Sequence, residues 1–320
     1  MSGADALSLA NRWQRGFPLA ARPFAQIGSA ANLSEHGVLD RFSNLKKQGV
    51  LDRIGPVFRP NAVGASSLAA MAVPRERLEE VARCVSAHPG VNHNYQRGHD
   101  WNLWFVATAP SAAEVERTLS GIEEATGLIV LRLPLLEEYH IDLGFDLETH
   151  AVPRAMPGKM DFAEPSVEEK ALVRETVGGL PLEPRPYGQV AQSLGLEEKR
   201  VLGKLRQMLA DGRIRRIGAV IRHRRLGYEA NAMVVWDLPD PALAAVAPRL
   251  AADGAVTLCY RRARALPHWP YNLYCMVHGR SRERVRAEVE RMSGSYGLAP
   301  FPSAMLFSER CFSQRAARYG

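Results

Sequence analysis

The stretch VNHNYQRGHDWNLWFV, residues 91–106, packs two histidines (His93 and His99), a tyrosine, an arginine and two tryptophans into a segment whose tail, 102–106, reads as a buried β-strand. Side chains alternate along a strand, so His93, Tyr95 and Arg97 share one face while Asn92, Asn94 and Gln96 share the other. If the first set faces a ligand, one strand delivers a group that titrates near neutral pH, a phenol and a guanidinium fork matched to a carboxylate. His99 falls at the hairpin tip before Trp101 and Asn102, free to close over the edge of whatever is bound. Such a set could hold an anion and move a proton. The blander alternative is that a strand histidine is packed or solvated.

The same pattern occurs twice. GVLDRIGPVFRPNAVG (49–64) lies over GRIRRIGAVIRHRRLG (212–227) at an offset of 163, and FAQIGSAANLSEHGVLDRFSNLKKQG (24–49) over YGQVAQSLGLEEKRVLGKLRQMLADG (187–212) at the same offset. Further on, VNHNYQR matches VTLCYRR (256–262), and WNLWFVAT (101–108) matches YNLYCMVH (271–278) after a five-residue insertion. Self-similarity at that spacing makes the chain two homologous halves. In the second half the strand face becomes Leu258, Tyr260 and Arg262, with no histidine. The nearest one is His268, in the inserted loop ARALPHWP (263–270). The halves are chemically unequal, which leaves either one competent pocket or two with different proton donors.

The elements that must position these residues follow from periodicity and turn signals. Tyr187–Leu194 and Glu197–Asp211 are helical patterns joined by Leu194-Gly195-Leu196, a helix-turn-helix, and the first half has Ala31-Asn32 at that turn. Gly212 stops the second helix, and the basic, β-branched run Arg213–Ile221 is expected to form a wing hairpin. Strand, helix, strand, strand, helix, strand then follow (230–236, 241–252, 254–262, 272–279, 281–292 and near 300–307), the order of a ferredoxin-like split β-α-β with both helices on one face. The expected class is α+β: two tandem repeats, each a winged helix-turn-helix followed by a ferredoxin-like domain. The expected boundaries are 1–56, 57–154, a Pro/Gly-rich acidic linker at 155–169, 170–221 and 222–320.

Bulk composition narrows the partners. With 46% hydrophobic and 23% charged residues the chain is an ordinary globular one, and a formal charge of +7 points to an anionic partner. No apolar run approaches the roughly 18 residues that span a bilayer and the N-terminus lacks signal-peptide order, so a cytoplasmic location is expected. Cys84, Cys259, Cys275 and Cys311 form no C-x-x-C pair and read as reduced thiols. Trp104 is expected in the core, and His36, His88, His140 and His150 are expected to be surface or structural residues.

A winged helix-turn-helix followed by a ferredoxin-like domain resembles the Lrp/AsnC regulators. RIGAVIRHRRLGYEANAM (216–233), CYRR (259–262), WPYNLYCMVHG (269–279), HNY (93–95) and WNLWFV (101–106) go further and resemble the siroheme decarboxylases, in a fused form with both subunits in one polypeptide. The resemblance covers roughly residues 20–310. It implies a substrate with eight carboxylates, siroheme, two of whose acetates lose CO₂ to give 12,18-didecarboxysiroheme for haem d1, with no cofactor beyond the substrate's own iron. It also implies site residues. His93, His99, Tyr95 and His268 are the catalytic candidates. Arg97, Trp101, Asn102, Arg222, His223, Tyr260, Arg261, Arg262, Arg264, Tyr271 and Asn272 are the candidates for holding substrate, the arginines as carboxylate clamps and the aromatics as an apolar wall. No metal site of the protein's own is expected.

The same resemblance implies that the two halves pair through their sheets within the chain, with a further dimer left open, alongside other haem d1 biosynthesis proteins as partners and no membrane. Two rival readings compete: a DNA-binding regulator and a tetrapyrrole carrier. DNA binding is not expected, because the recognition-helix start Leu196-Glu197-Glu198-Lys199-Arg200 opens with two carboxylates and Leu33-Ser34-Glu35-His36-Gly37 contains a helix-breaking glycine.

Overall fold

The chain runs through two copies of one element series. In the first copy three helices and a strand, α1 (Gly3–Arg12), α2 (Pro23–Ala31), α3 (Glu35–Lys47) and β1 (Leu51–Phe58), precede β2 (Ala65–Met71), α4 (Leu78–Ala87), β3 (Val91–Arg97), β4 (Leu103–Ala109), α5 (Ala112–Thr126) and β5 (Val130–Ile141). The second copy has α6 (Val167–Val177), α7 (Pro186–Leu194), α8 (Glu198–Ala210) and β6 (Ile214–Ile221), then β7 (Ala230–Trp236), α9 (Asp240–Ala251), β8 (Val256–Arg262), β9 (Leu273–Gly279), α10 (Arg282–Ser295) and β10 (Ser303–Gln314). The computed structural model describes residues 3–141, 162–222 and 230–319. They fall into two units: one holds the βαββαβ modules of both repeats, the other holds the helical modules with Tyr319.

In the βαββαβ unit each repeat forms a four-stranded antiparallel sheet, ordered β3-β4-β2-β5 in the first and β8-β9-β7-β10 in the second. Neither sheet ends in an open edge, because β10 pairs with β3 and β5 with β8, closing an eight-stranded barrel. The pairing joins the repeats by backbone hydrogen bonds at two seams, which removes the unpaired edges that isolated sheets expose. Strand alternation then sorts the side chains. One face of the first sheet packs Met71, Phe105 and Val91 against Val81, Val85, Leu119 and Ile122 of α4 and α5. The second sheet packs Trp236, Leu273 and Cys275 against Leu243, Leu250, Val289 and Met292 of α9 and α10. The opposite faces of both sheets meet inside the barrel, where Leu68, Trp104, Leu133, Met233, Tyr260, Trp269, Tyr274 and Leu306 form a third core.

The helical unit is built by exchange between repeats. Pro23 and Pro186 open α2 and α7, where a missing N–H costs nothing. Both helices end on a left-handed residue, Gly195 (φ 64°) in the second repeat and Asn32 (φ 52°) in the first, so the Ala31-Asn32 variant preserves the turn because asparagine tolerates that region. Ser34 caps α3, and a capping box between Ser166 and Glu169 starts α6 at Val167, inside the stretch assigned above to the linker. The expected wing hairpin does not form within a repeat. β6 pairs instead with β1 of the other repeat, antiparallel, with Gly55 opposite Gly218. Ala219 N–H donates to Trp13 O beyond α1, and Leu180 N–H beyond α6 donates to Ile54 O, so each repeat's first helix leads onto the other's strand.

Several cations of this unit are turned inward or paired, while Lys46, Lys47 and Lys199 are exposed. Arg22 bridges Glu35 and Arg185 bridges Glu198, the same contact at the 163-residue offset. On α8, the second helix of the helix-turn-helix, Arg200 Nε donates to Glu168 Oε1 at 2.8 Å, and Lys204 lies 3.8 Å from Glu169. Arg216, in the basic run expected to form the wing, is buried and donates to Ala219 O at 3.1 Å; burial and the nearby Arg15, Arg53 and Arg215 push its pKa down to about 9.

A Cβ at Gly218 would stand 2.1 Å from the Gln14 carbonyl oxygen, an approach between two backbones that neither can relieve cheaply. Gly218→Ala is therefore expected to destabilise the chain by about 2–3 kcal/mol. Gly203→Ala on α8, where nothing lies within 4 Å, should stabilise it by up to about 1 kcal/mol. Urea denaturation midpoints of the two variants against wild type check both.

Candidate active site

From His93 onward, past a bulge between Val91 and His93, the β3 face is arranged as alternation requires. Asn94 is buried toward the helices, where its Nδ2 donates to Ala82 O and Ser86 Oγ of α4 at 3.0 Å each. Tyr95 stands opposite Trp104, and His93 opposite Val106, both on the barrel-interior side. The His93 and Tyr95 rings stack with centroids 6.3 Å apart and an interplanar angle of 19°. Arg97 is buried, its guanidinium 5.9 Å from the Tyr95 ring centroid and its Nη1 donating to Leu306 O of β10 at 3.1 Å. The other wall of this cup is the second repeat's last strand, with Cys311 opposite Tyr95 and Gln314 opposite His93.

The second repeat builds the equivalent cup on the same backbone with different chemistry. Tyr260 is opposite Tyr274, its ring stacked on it at 5.6 Å. Arg262 covers Tyr260 at 4.6 Å, and its Nη1 donates to Leu133 O at 2.7 Å, mirroring Arg97 and Leu306. Leu258 stands where the first cup has His93, and Glu138 of β5, buried, faces Tyr260 where the first has Cys311.

The two hairpin tips meet. His99 lies edge-on to Trp269 (5.3 Å) and Trp101 lies beside His268 (5.9 Å), while Trp269 also meets Trp104 (5.0 Å) and Tyr271 (4.8 Å). Trp269 is only 1% exposed and donates from Nε1 to Tyr274 Oη at 2.7 Å, so the inserted loop plugs the barrel interior. His99 accepts a hydrogen bond at Nδ1 from Trp101 N–H (3.0 Å), which leaves its proton on Nε2. Burial pushes its pKa down, with Asp100 opposing in part, so it presents a neutral N–H rather than a cation. His268 is exposed at the rim.

Several residues expected to hold substrate are occupied otherwise. Asn102 clamps Val73 by its N–H (3.0 Å) and C=O (2.8 Å), and Asn272 does the same to Leu238 (3.0 and 2.9 Å); both amides stand in for a strand partner. Arg264 is spent on Asp237 (2.6 Å), Leu238 O (2.7 Å) and Pro270 O (2.8 Å), which fastens the base of the plugging loop. Arg261 points to the helix side, donating to Asp240 at 2.9 Å, because it is one residue out of phase with Arg262. Arg222 belongs to the helical unit and pairs with Asp52 at 2.6 Å. His223 lies outside the described residues. The sequence reading missed Gln314, Cys311 and Glu138, since nothing local marks a strand from one repeat as the wall of the other's cup; the only cue was the polar run after Phe307.

A tandem pair of Lrp/AsnC-type domains with an asymmetric, histidine-bearing interior is the class that fold and site define. The family model of an AsnC-like ligand binding domain matches residues 62–140 and 225–313, and that of a siroheme decarboxylase NirDL-like helix-turn-helix domain matches residues 8–51 and 169–215. The chain is 45% identical to the siroheme decarboxylase NirDL subunit of Paracoccus pantotrophus over 97% of its own length and 96% of the relative's. It is 49% identical to the NirD subunit of Stutzerimonas stutzeri over 45% of this chain and 95% of that shorter protein. A crystal structure of the siroheme decarboxylase NirDL in co-complex with an iron-uroporphyrin III analogue covers 98% of this chain and 94% of its own at 29% identity, with a TM-score of 0.73. The chain belongs to the siroheme decarboxylases, carbon–carbon lyases, in the form that carries both repeats in one polypeptide.

Because folding lowers the proton affinity of His99, its share of stability is complete above the unfolded-state pKa near 6.5 and is lost as pH falls toward the lower folded value. Nitrogen-15 NMR of the imidazoles should show His99 neutral at pH 7, protonated at Nε2, and titrating below about 6.5. A His99 signal already cationic at pH 7 would contradict this geometry.

Proposed function

We propose that the chain removes CO₂ from two acetate side chains of siroheme, giving 12,18-didecarboxysiroheme on the route to haem d1, and that both reactions occur in the first-repeat cup. The observation that carries this reading is the stacked His93–Tyr95–Arg97 face, present in one cup and replaced by Leu258–Tyr260–Arg262 with buried Glu138 in the other. Each step converts a ring-bound CH₂–COO⁻ and one proton into CH₃ and CO₂, with no net oxidation. The reaction therefore needs no cofactor beyond the iron the substrate brings.

Arg97 and Arg262 lie on the interior faces and are suited to the carboxylates that do not react; holding a large polyanion in one pose supplies the orientation on which the rate depends. His93 is the proton source. Protonation of a pyrrole carbon makes the ring an electron sink, the C–CO₂ bond electrons flow into it, and the exocyclic carbon takes a proton as the ring proton is returned. His99, held neutral with its N–H at Nε2, donates a hydrogen bond; it is a poor iron ligand in this state, because ligation through Nε2 requires that proton elsewhere. Trp101 and Tyr271 stand by as the apolar wall. We assign the enzyme to the cytoplasm, in line with the finding that no helix among the described residues is long and apolar enough to cross a membrane. Other haem d1 biosynthesis proteins are its expected partners.

Anaerobic incubation with siroheme followed by mass spectrometry should show loss of two CO₂, with one ring bound per chain by absorbance titration. His93→Ala should keep binding and lower turnover at least about 100-fold, within the range of a lost general acid. Binding with no mass change in wild type would make the chain a carrier, and two rings per chain would put the second cup to use.

A further inference from the structure

Gln314, the last residue of β10, is a polar side chain of the second repeat that reaches the first repeat's reactive face by hydrogen bond: its Oε1 accepts from Tyr95 Oη at 3.2 Å. Its backbone stands opposite His93 in the seam, and the His93 ring stacks on Tyr95, so one residue borders both. The chain immediately beyond it is fastened unusually firmly. Arg315 donates from Nε to Val91 O (2.7 Å) and from Nη2 to Ser86 O (2.8 Å) and His88 O (2.6 Å), while its N–H donates to Asn92 O (2.8 Å). Arg318 N–H adds a bond to Thr108 Oγ1 at 3.2 Å. These contacts tie the C-terminal strap of the second repeat to the end of α4 and to β3 and β4. The counterpart register position, opposite Leu258 in the other seam, is held by Ile141.

We infer that Gln314 is a positioning residue for the decarboxylation, fixing the direction of the Tyr95 hydroxyl and through it the His93 ring, and that the Arg315 strap holds it there. The inference rests on the first-cup reading. A phenol on a strand rotates about its C–O bond at little cost, so an acceptor held by a second element decides where its lone pairs point. With the O–H committed to Gln314, those lone pairs face the cup. The hydroxyl then accepts from substrate or from a protonated His93 instead of donating to a substrate carboxylate. The site is thereby completed by both repeats, and the strap that carries Gln314 does not belong to the half that carries the histidines.

The test is steady-state turnover of siroheme by the full chain for Gln314→Leu, Gln314→Glu and Arg315→Ala, beside His93→Ala, with siroheme affinity measured separately by absorbance. Gln314→Leu is expected to lower kcat about tenfold, the scale of a lost orientation, with affinity within about twofold. Gln314→Glu keeps an acceptor, so it should restore most of kcat while weakening affinity for the polyanion, and it should move the alkaline limb of the kcat–pH profile upward because a carboxylate favours the neutral phenol. Arg315→Ala should lower kcat in the same direction as Gln314→Leu. Wild-type kcat in Gln314→Leu alongside an inactive His93→Ala overturns the positioning role and leaves the cup intact. Equal loss in the Leu and Glu variants also overturns it, since an accepted hydrogen bond would then not be the property that matters. Full activity in His93→Ala instead sinks the first-cup reading itself.

Discussion

Everything in the βαββαβ unit depends on the two seams where strands of different repeats pair, β10 with β3 and β5 with β8. A four-stranded sheet with helices on one face leaves its other face bare and two edges unpaired. Closing two such sheets on each other satisfies both deficits at once: the bare faces become a shared interior, and the edges become ladders. In this chain the closure also decides who can touch whom. A residue on β3 has as its partner across the seam a residue of β10 more than 200 positions away.

The backbone symmetry that closure imposes is then broken by side chains. Arg97 and Arg262 occupy matched places and each donates to the carbonyl of a leucine across its seam, Leu306 and Leu133. Around them the two cups diverge: His93 against Leu258 and Cys311 against Glu138. The inserted loop completes the asymmetry by sending Trp269 into the interior, held by Tyr274 and by the Arg264–Asp237 pair at its base. Duplication supplies a symmetric vessel. A handful of substitutions and five added residues make its two sides chemically unequal.

The helical unit shows the same economy with a different outcome. Helix-turn-helix geometry persists in both repeats down to the left-handed turn residue, yet Arg200, Lys204, Arg22 and Arg185 are bound to Glu168, Glu169, Glu35 and Glu198. Phosphate contact would have to displace these carboxylates, so a net charge of +7 does not by itself describe a DNA-facing surface. The exchanged pairing of β1 with β6 gives this unit its own reason to need both repeats.

The sequence by itself determined the duplication, the order of elements and the facing of β3, because these follow from local repetition, helix and strand periods and strand alternation, all of which are properties of neighbouring residues. His93, Tyr95 and Arg97 sharing a face was legible for that reason, as was Trp104 in the core. Which partner each guanidinium would take was not. Arg264, Arg261 and Arg222 look like Arg97 and Arg262 in one dimension, and only folding shows that Asp237, Asp240 and Asp52 have taken them. Asn102 and Asn272 likewise read as ligands until their amides are seen to replace a strand's backbone partner at Val73 and Leu238. The wing hairpin was a local expectation overruled by a better non-local ladder. Gln314 and Glu138 became part of the cups through pairing across the seams. Local patterns set which elements form and which way they face, whereas competition among distant partners for each charge and hydrogen bond is settled only when the chain closes on itself.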